Sequence, residues 1–311
     1  MQEVILNMLP LRGDERLAFE EAMPDAVHLY ARRSNVTEEQ LSQATIILGW
    51  PKPECVPKAR NLKWLQSLWA GTEEYDGYLP KGTWLTSAAG CNSRGVAEHM
   101  IASLLALCRK LPLYRDNQQS HVWKDRGDLK TLTGATVLVV GAGNIGSCFA
   151  SLCKALGAGQ TIGLKRSVTG PMDGFDQVES ISTLEQWLPV ADVVMLSLPH
   201  SKQTEGLMDA DRISKMKQGA ILLSCGRGSV LDQEALADAL CSGHLWGAAL
   251  DVTEPEPLPS EHRLWDIPNL LLTPHIAGGM HLDMTRVNCV QLALENLKRY
   301  TSGQPLRNRV Q

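Results

Sequence analysis

Three short segments in the last third of this 311-residue chain each place one ionisable residue just after a strand-like apolar run. They are Arg227 in Cys225-Gly226-Arg227-Gly228, Glu256 in Asp251-Val252-Thr253-Glu254-Pro255-Glu256-Pro257, and His275 in Thr273-Pro274-His275. A guanidinium is a planar fork of donors that matches a carboxylate and can polarise a neighbouring carbonyl. A protonated imidazole can hand a proton to a developing alkoxide, and an adjacent carboxylate stabilises its charged form and orients the ring. Glu256 is the expected partner, with Glu254 near enough to compete for the role. His275 is preferred over the other seven histidines because it follows the end of a strand, where open α/β sheets bind ligands. The glycines on either side of Arg227 are read as giving its backbone latitude.

Upstream, Gly141-Ala142-Gly143-Asn144-Ile145-Gly146 matches G-x-G-x-x-G between the apolar run Thr136–Val140 and the helix-compatible stretch Ser147–Leu156. In that setting Gly141 permits a tight turn, Gly143 lets backbone approach a pyrophosphate, and Gly146 lets helix and strand pack closely. The N–H groups of the helix start, at Asn144 and Ile145, face the phosphates. After the next strand the chain reads Leu164-Lys165-Arg166-Ser167, with no acidic residue to accept from a ribose hydroxyl. Two cations and a hydroxyl suit a 2′-phosphate, so NADP(H) is the preferred cofactor, with Arg166 as its main contact and NAD(H) possible.

These residues need a scaffold, and the pattern supplies two. Before residue 90, strand-like runs at Val4–Asn7, Ile46–Leu48, Trp64–Ser67 and Trp84–Ser87 alternate with polar stretches such as Thr37–Ala44. From Thr136 the pattern restarts, with further runs at Thr161–Leu164, Val193–Leu198, Ala220–Ser224, Gly247–Leu250 and Leu270–Thr273 and a helical pattern at Gln233–Leu240. The expected fold is α/β, with two Rossmann-like or flavodoxin-like domains built on doubly wound parallel sheets. Val96, Met100, Ile101, Leu104, Leu105 and Cys108 recur at helical spacing, suited to a spacer between domains, and Leu282–Tyr300 reads as a long final helix. Hydrophobic residues at 44%, charged residues at 21% and a net charge of -4 give no basic footprint for nucleic acid, which leaves a small-molecule partner. No apolar run reaches membrane-spanning length and Met1-Gln2-Glu3-Val4 does not resemble a secretory signal, so the expected location is the cytoplasm. Eight scattered cysteines without Cys-x-x-Cys spacing imply reduced thiols and no metal site.

The glycine fingerprint, Leu198-Pro199, Cys225-Gly226-Arg227-Gly228, Asp251-Val252 with Glu256-Pro257-Leu258-Pro259, and Thr273-Pro274-His275 together resemble the successive motifs of the D-2-hydroxyacid dehydrogenases. That resemblance implies that Arg227 binds a substrate carboxylate, that His275 is the acid/base and that Glu256, by its place before Pro257, is its partner. It implies cofactor contacts at Leu198, Pro199 and Cys225, and Asp251 near the nicotinamide carboxamide. Ala70-Gly71-Thr72 corresponds to a carboxylate-binding backbone turn. The basic turn, the length and Trp50 in Gly49-Trp50-Pro51 are most similar to the NADPH-dependent glyoxylate/hydroxypyruvate reductases, with Trp50 as an apolar wall for a small 2-keto acid. The family arrangement implies a discontinuous substrate-binding domain at 1–102 plus 284–311, a dinucleotide-binding domain at 103–283, an active site in the cleft between them, and a homodimer. Formate or phosphite oxidation is disfavoured by Glu256 where formate dehydrogenases resembling this chain carry Gln. A non-catalytic cofactor sensor is disfavoured because all three catalytic candidates are present.

Overall fold

The structure is a computed structural model that describes residues 2–168 and 170–311. It contains two compact units, one formed by the chain up to Asn92 together with Met280–Gln311, the other by Ser93–Gly279. In the first unit the strands β1 (Val4–Asn7), β2 (Val27–Tyr30), β3 (Ile46–Gly49), β4 (Trp64–Ser67) and β5 (Trp84–Thr86) lie in the order β2-β1-β3-β4-β5. All their pairings are parallel, giving the flavodoxin-like order. Successive side chains point to opposite faces: Ile5, Ile46, Leu48 and Trp64 pack with Cys289, Ala293 and Leu297 of the final helix, Asp283–Thr301. Leu6, Ile47 and Leu65 pack on the other side with Leu41 and Tyr75.

In the second unit seven parallel strands are ordered β12-β11-β10-β9-β6-β7-β8. They are β6 (Thr136–Val140), β7 (Gln160–Lys165), β8 (Gln177–Ser180), β9 (Val193–Leu196), β10 (Ile221–Ser224), β11 (Gly247–Leu250) and β12 (Leu270–Leu272). This is the Rossmann order with one strand added, and β6 and β9 flank the point where strand order reverses. The central strands are apolar throughout because helices cover both faces: Leu138, Val140, Val194, Leu196 and Leu222 serve one core, Val137, Val139, Met195 and Leu223 the other. The helix expected to act as a spacer, Ser93–Cys108, is instead part of that second core. Its stripe Val96, Met100, Leu104 and Leu107 lies with Phe149 and Cys153 of the helix Asn144–Ala155. No helix among the described residues is long and apolar enough to cross a membrane.

Candidate active site

One rung of the second sheet places the candidate residues. Leu164, Val140, Leu196, Ser224, Leu250 and Leu272 are successive Cα partners across β7, β6, β9, β10, β11 and β12. The chain leaves every one of these strands at the same sheet edge, on neighbours spaced about 4.8 Å apart. Lys165-Arg166-Ser167, the glycine loop, Leu198-Pro199, Arg227, Glu256 and His275 all follow that rung.

The glycine loop is fixed by sterics. Gly141 has φ +111°, and a Cβ there would meet the Ser197 carbonyl carbon and Oγ, both at 2.9 Å. A Cβ on Gly146 would fall 2.6 Å from Gly141 O and 2.8 Å from Val139 Cγ1, whereas one on Gly143 would meet no protein atom within 4 Å. Gly143 caps the helix Asn144–Ala155 without a side-chain hydrogen bond, so the first N–H groups of that helix have no acceptor among the described residues. Beyond β7, Lys165 Nζ lies 3.4 Å from Met172 Sδ, while Arg166 and Ser167 are exposed. Arg166 has no ion-pair partner among the described residues.

His275 and Glu256 stand together: His275 Nδ1 lies 2.8 Å from Glu256 Oε2, with the two side chains 49% and 37% exposed. An ionised carboxylate only accepts, so Nδ1 carries its hydrogen toward Glu256, and Nε2 has no hydrogen-bond partner among the described residues. Glu256 Oε1 also accepts from the Thr253 N–H at 3.1 Å. The backbone of Glu254 is held by the Gln233 amide, at 2.6 Å through its carbonyl and 3.3 Å through its N–H, and Glu256 is the residue beside the imidazole. Arg227 is half-buried and its Nη1 donates to Gly226 O at 3.0 Å. Its flanking glycines do not serve backbone freedom. A Cβ on Gly226 would come 2.3 Å from Leu198 O, and one on Gly228 would come 2.1 Å from Thr253 C, so the Arg227 turn is wedged between the loops after β9 and β11. Leu198 is buried and Pro199 exposed.

Asp251 is only 2% exposed. Its Oδ1 accepts from Thr273 Oγ1 at 2.6 Å and from Ile276 N at 3.0 Å, and its Oδ2 accepts from Ala277 N at 3.0 Å. The carboxylate therefore braces the turn that carries His275. That residue has φ +52°, a left-handed conformation that a side-chain-bearing residue keeps only where its surroundings hold it. Burial pushes the Cys225 thiol well above its usual range, with Asp251 adding to the effect, and Cys225 Sγ is directed at Leu196 O at 3.6 Å. Cys225 thus sits as a neutral thiol at the strand end. Sequence reasoning missed one contact at this turn: His99 Nε2 is 3.1 Å from Thr273 Oγ1. Its only signal in the sequence is a place on the flank of a buried helical stripe.

Within the first unit, Trp50 is not a bare apolar wall. The Arg33 guanidinium lies 3.4 Å from its ring centroid, Trp69 meets it edge-on at 5.3 Å, and its Nε1 donates to Glu74 Oε1 at 2.5 Å. Ala70 is exposed, Gly71 half-buried and Thr72 buried. The N–H groups of this turn have no acceptor among the described residues. Burial raises the Tyr75 phenol far above its usual range, and its hydroxyl donates to Pro51 O at 3.0 Å.

The sequence profile of the D-isomer specific 2-hydroxyacid dehydrogenase NAD binding domain matches residues 101–277. The crystal structure of a D-isomer specific 2-hydroxyacid dehydrogenase family protein from Aeromonas salmonicida subsp. salmonicida A449 is similar over 100% of this chain and 99% of its own. The two share 32% identity with a TM-score of 0.87. The D-isomer specific 2-hydroxyacid dehydrogenase from Xanthobacter autotrophicus Py2, crystallised with NADPH and MES, shares 27% identity with a TM-score of 0.82 over 100% of this chain and 98% of its own. D-3-phosphoglycerate dehydrogenase of Archaeoglobus fulgidus is 30% identical over 289 residues, which cover 90% of this chain and 53% of that protein. The chain thus spans about half the length of that relative.

Proposed function

Because the chain belongs to the D-isomer specific 2-hydroxyacid dehydrogenase family, and so is an NAD(P)-dependent oxidoreductase, we propose that it reduces a small 2-keto acid, glyoxylate or hydroxypyruvate, with NADPH. The observation that carries this reading is the His275–Glu256 pair, with Nε2 without a hydrogen-bond partner among the described residues, where the strands that also bear the glycine loop end. The unit Ser93–Gly279 serves the dinucleotide and the other unit the substrate; residence in the cytoplasm and a homodimer complete the reading.

The residues present fit a dinucleotide. The space where Gly143 lacks a Cβ is open, and the N–H groups of Asn144, Ile145 and Gly146 have no acceptor among the described residues, so a pyrophosphate there would be met by backbone donors. Arg166, flanked by Lys165 and Ser167, would meet a 2′-phosphate, a preference also supported by the Xanthobacter relative's complex with NADPH. When bound, the reduced nicotinamide supplies hydride to the substrate's carbonyl carbon. Arg227 holds the substrate carboxylate and orients the carbonyl. His275 Nε2 gives its proton to the carbonyl oxygen as negative charge grows there, while Nδ1 keeps its hydrogen, donated to Glu256, so that the ring keeps one orientation before and after transfer.

Steady-state rates with glyoxylate, hydroxypyruvate and pyruvate, and in reverse with D-3-phosphoglycerate, each with both cofactors, test the reading. The expected result is the highest kcat/KM with glyoxylate or hydroxypyruvate and a preference for NADPH of roughly ten-fold or more, about the value of one charge-assisted hydrogen bond. Arg166→Ala should abolish that preference. Preference for NADH, or for the phosphorylated acid, refutes the corresponding half.

A further inference from the structure

His99 belongs to the helix Ser93–Cys108 and meets Thr273 across 174 residues of sequence. The Thr273 hydroxyl has a single hydrogen. At 2.6 Å from Asp251 Oδ1 that hydrogen must lie between the two oxygens, because lone pairs would repel at that distance. Toward His99, then, the hydroxyl can only accept, and Nε2 of His99 carries a hydrogen. The chain of donors continues to the proposed proton donor. Asp251 takes the N–H groups of Ile276 and Ala277 on its carboxylate, and its backbone carbonyl takes the His275 N–H at 2.8 Å. Three anchors from one residue hold the turn in which His275 keeps its left-handed φ of +52°.

We infer that His99 is a positioning residue for His275: by donating to Thr273 it fixes the hydroxyl as a donor to Asp251, and so sets the turn that aims the His275 imidazole. Its effect on rate rests on the proton-donor role proposed above, whereas its effect on the placement of His275 does not.

The test uses the full chain with two substitutions. His99→Gln keeps an N–H donor near the Nε2 position, and His99→Leu keeps bulk without a donor. Histidine-selective 15N labelling reports the His275 ring, whose signals are identified by their absence in His275→Gln. For His99→Leu, kcat should fall roughly ten- to hundred-fold, the scale of a small misplacement of a reacting group. The KM for the keto acid and the Kd for NADPH should stay close to the parent values, and the His275 signals should move. His99→Gln should keep most of kcat and leave the signals in place. Thr273→Val should reproduce His99→Leu, and combining the two should add nothing, as expected for members of one network. The inference is overturned if both His99 variants are equally impaired, if cofactor affinity falls in step with kcat, or if the His275 signals do not move. If His275→Gln itself keeps full activity while His99→Leu still displaces those signals, the positioning stands and the proton-donor reading fails.

Discussion

The two edges of the seven-stranded sheet treat their polar groups in opposite ways. At the edge where the strands begin, Asp192 closes β6 onto β9, accepting from Thr136 N at 2.9 Å and from Lys217 Nζ at 2.6 Å. Asp176 likewise accepts from Thr161 N at 2.9 Å and pairs with Lys154. Both carboxyls lie below their usual range: Lys154 is the main cause at Asp176, while at Asp192 burial works upward and is outweighed by Lys217 and the Thr136 N–H. At the edge where the strands end, Asp251 is satisfied in the same way, but among the described residues the helix start at Asn144 lacks acceptors and Arg166 lacks an ion-pair partner, and His275 is half exposed. Groups that satisfy each other stabilise a sheet; groups held in place but left open await a ligand.

Substitutions of the open groups at the strand-end side should therefore damage rate more than folding. The largest effect is expected for His275→Ala, with kcat reduced ~10²–10⁴-fold, the usual range for a lost general acid, and NADPH affinity near parent by fluorescence titration. A near-normal kcat would reassign the acid. Next come the loop glycines, which separate packing from ligand approach. Gly146→Ala forces a Cβ against the Gly141 carbonyl at 2.6 Å and should destabilise the protein by about 1–3 kcal/mol in urea denaturation. Gly143→Ala meets no protein atom and should fold like the parent while binding NADPH at least several-fold more weakly. Equal stability losses at both positions would contradict the assignment of Gly143 to the ligand.

Much of this was readable from residue order, and what escaped was long-range. Thr136–Val140 and Gly247–Leu250 show themselves as apolar runs because both faces of a central strand are covered. The strands β2 and β8 leave no such trace: each is an outermost strand of its sheet, with one exposed and three half-buried residues in Val27–Tyr30 and Gln177–Ser180. In the site, the carboxylate beside His275 is one of two that spacing proposed. The reason for the glycines around Arg227 lies in the loops after β9 and β11, which no local pattern displays. Nor does sequence bring Arg33 over Trp50, or His99 to Thr273, since both contacts depend on where separate elements dock.

The smallest effect sharpens the contrast from the other side. Because the folded-state pKa of Asp192 is depressed, its contribution to stability is complete above the unfolded-chain value near ~3.9 and is lost as pH falls through the lower folded value. Asp192→Asn removes the charge that faces Lys217 while keeping an acceptor for the Thr136 N–H. Partial exposure screens the pair, so the loss near neutral pH should be no more than about 1 kcal/mol. Urea titrations at falling pH should show the gap between parent and variant closing as the parent's carboxylate protonates, with kcat at neutral pH unchanged throughout. A gap that widens in acid would mean that Asp192 is held above, not below, the usual carboxylate range. A fall in kcat comparable to that of His275→Ala would mean that the two edges do not divide stability from chemistry.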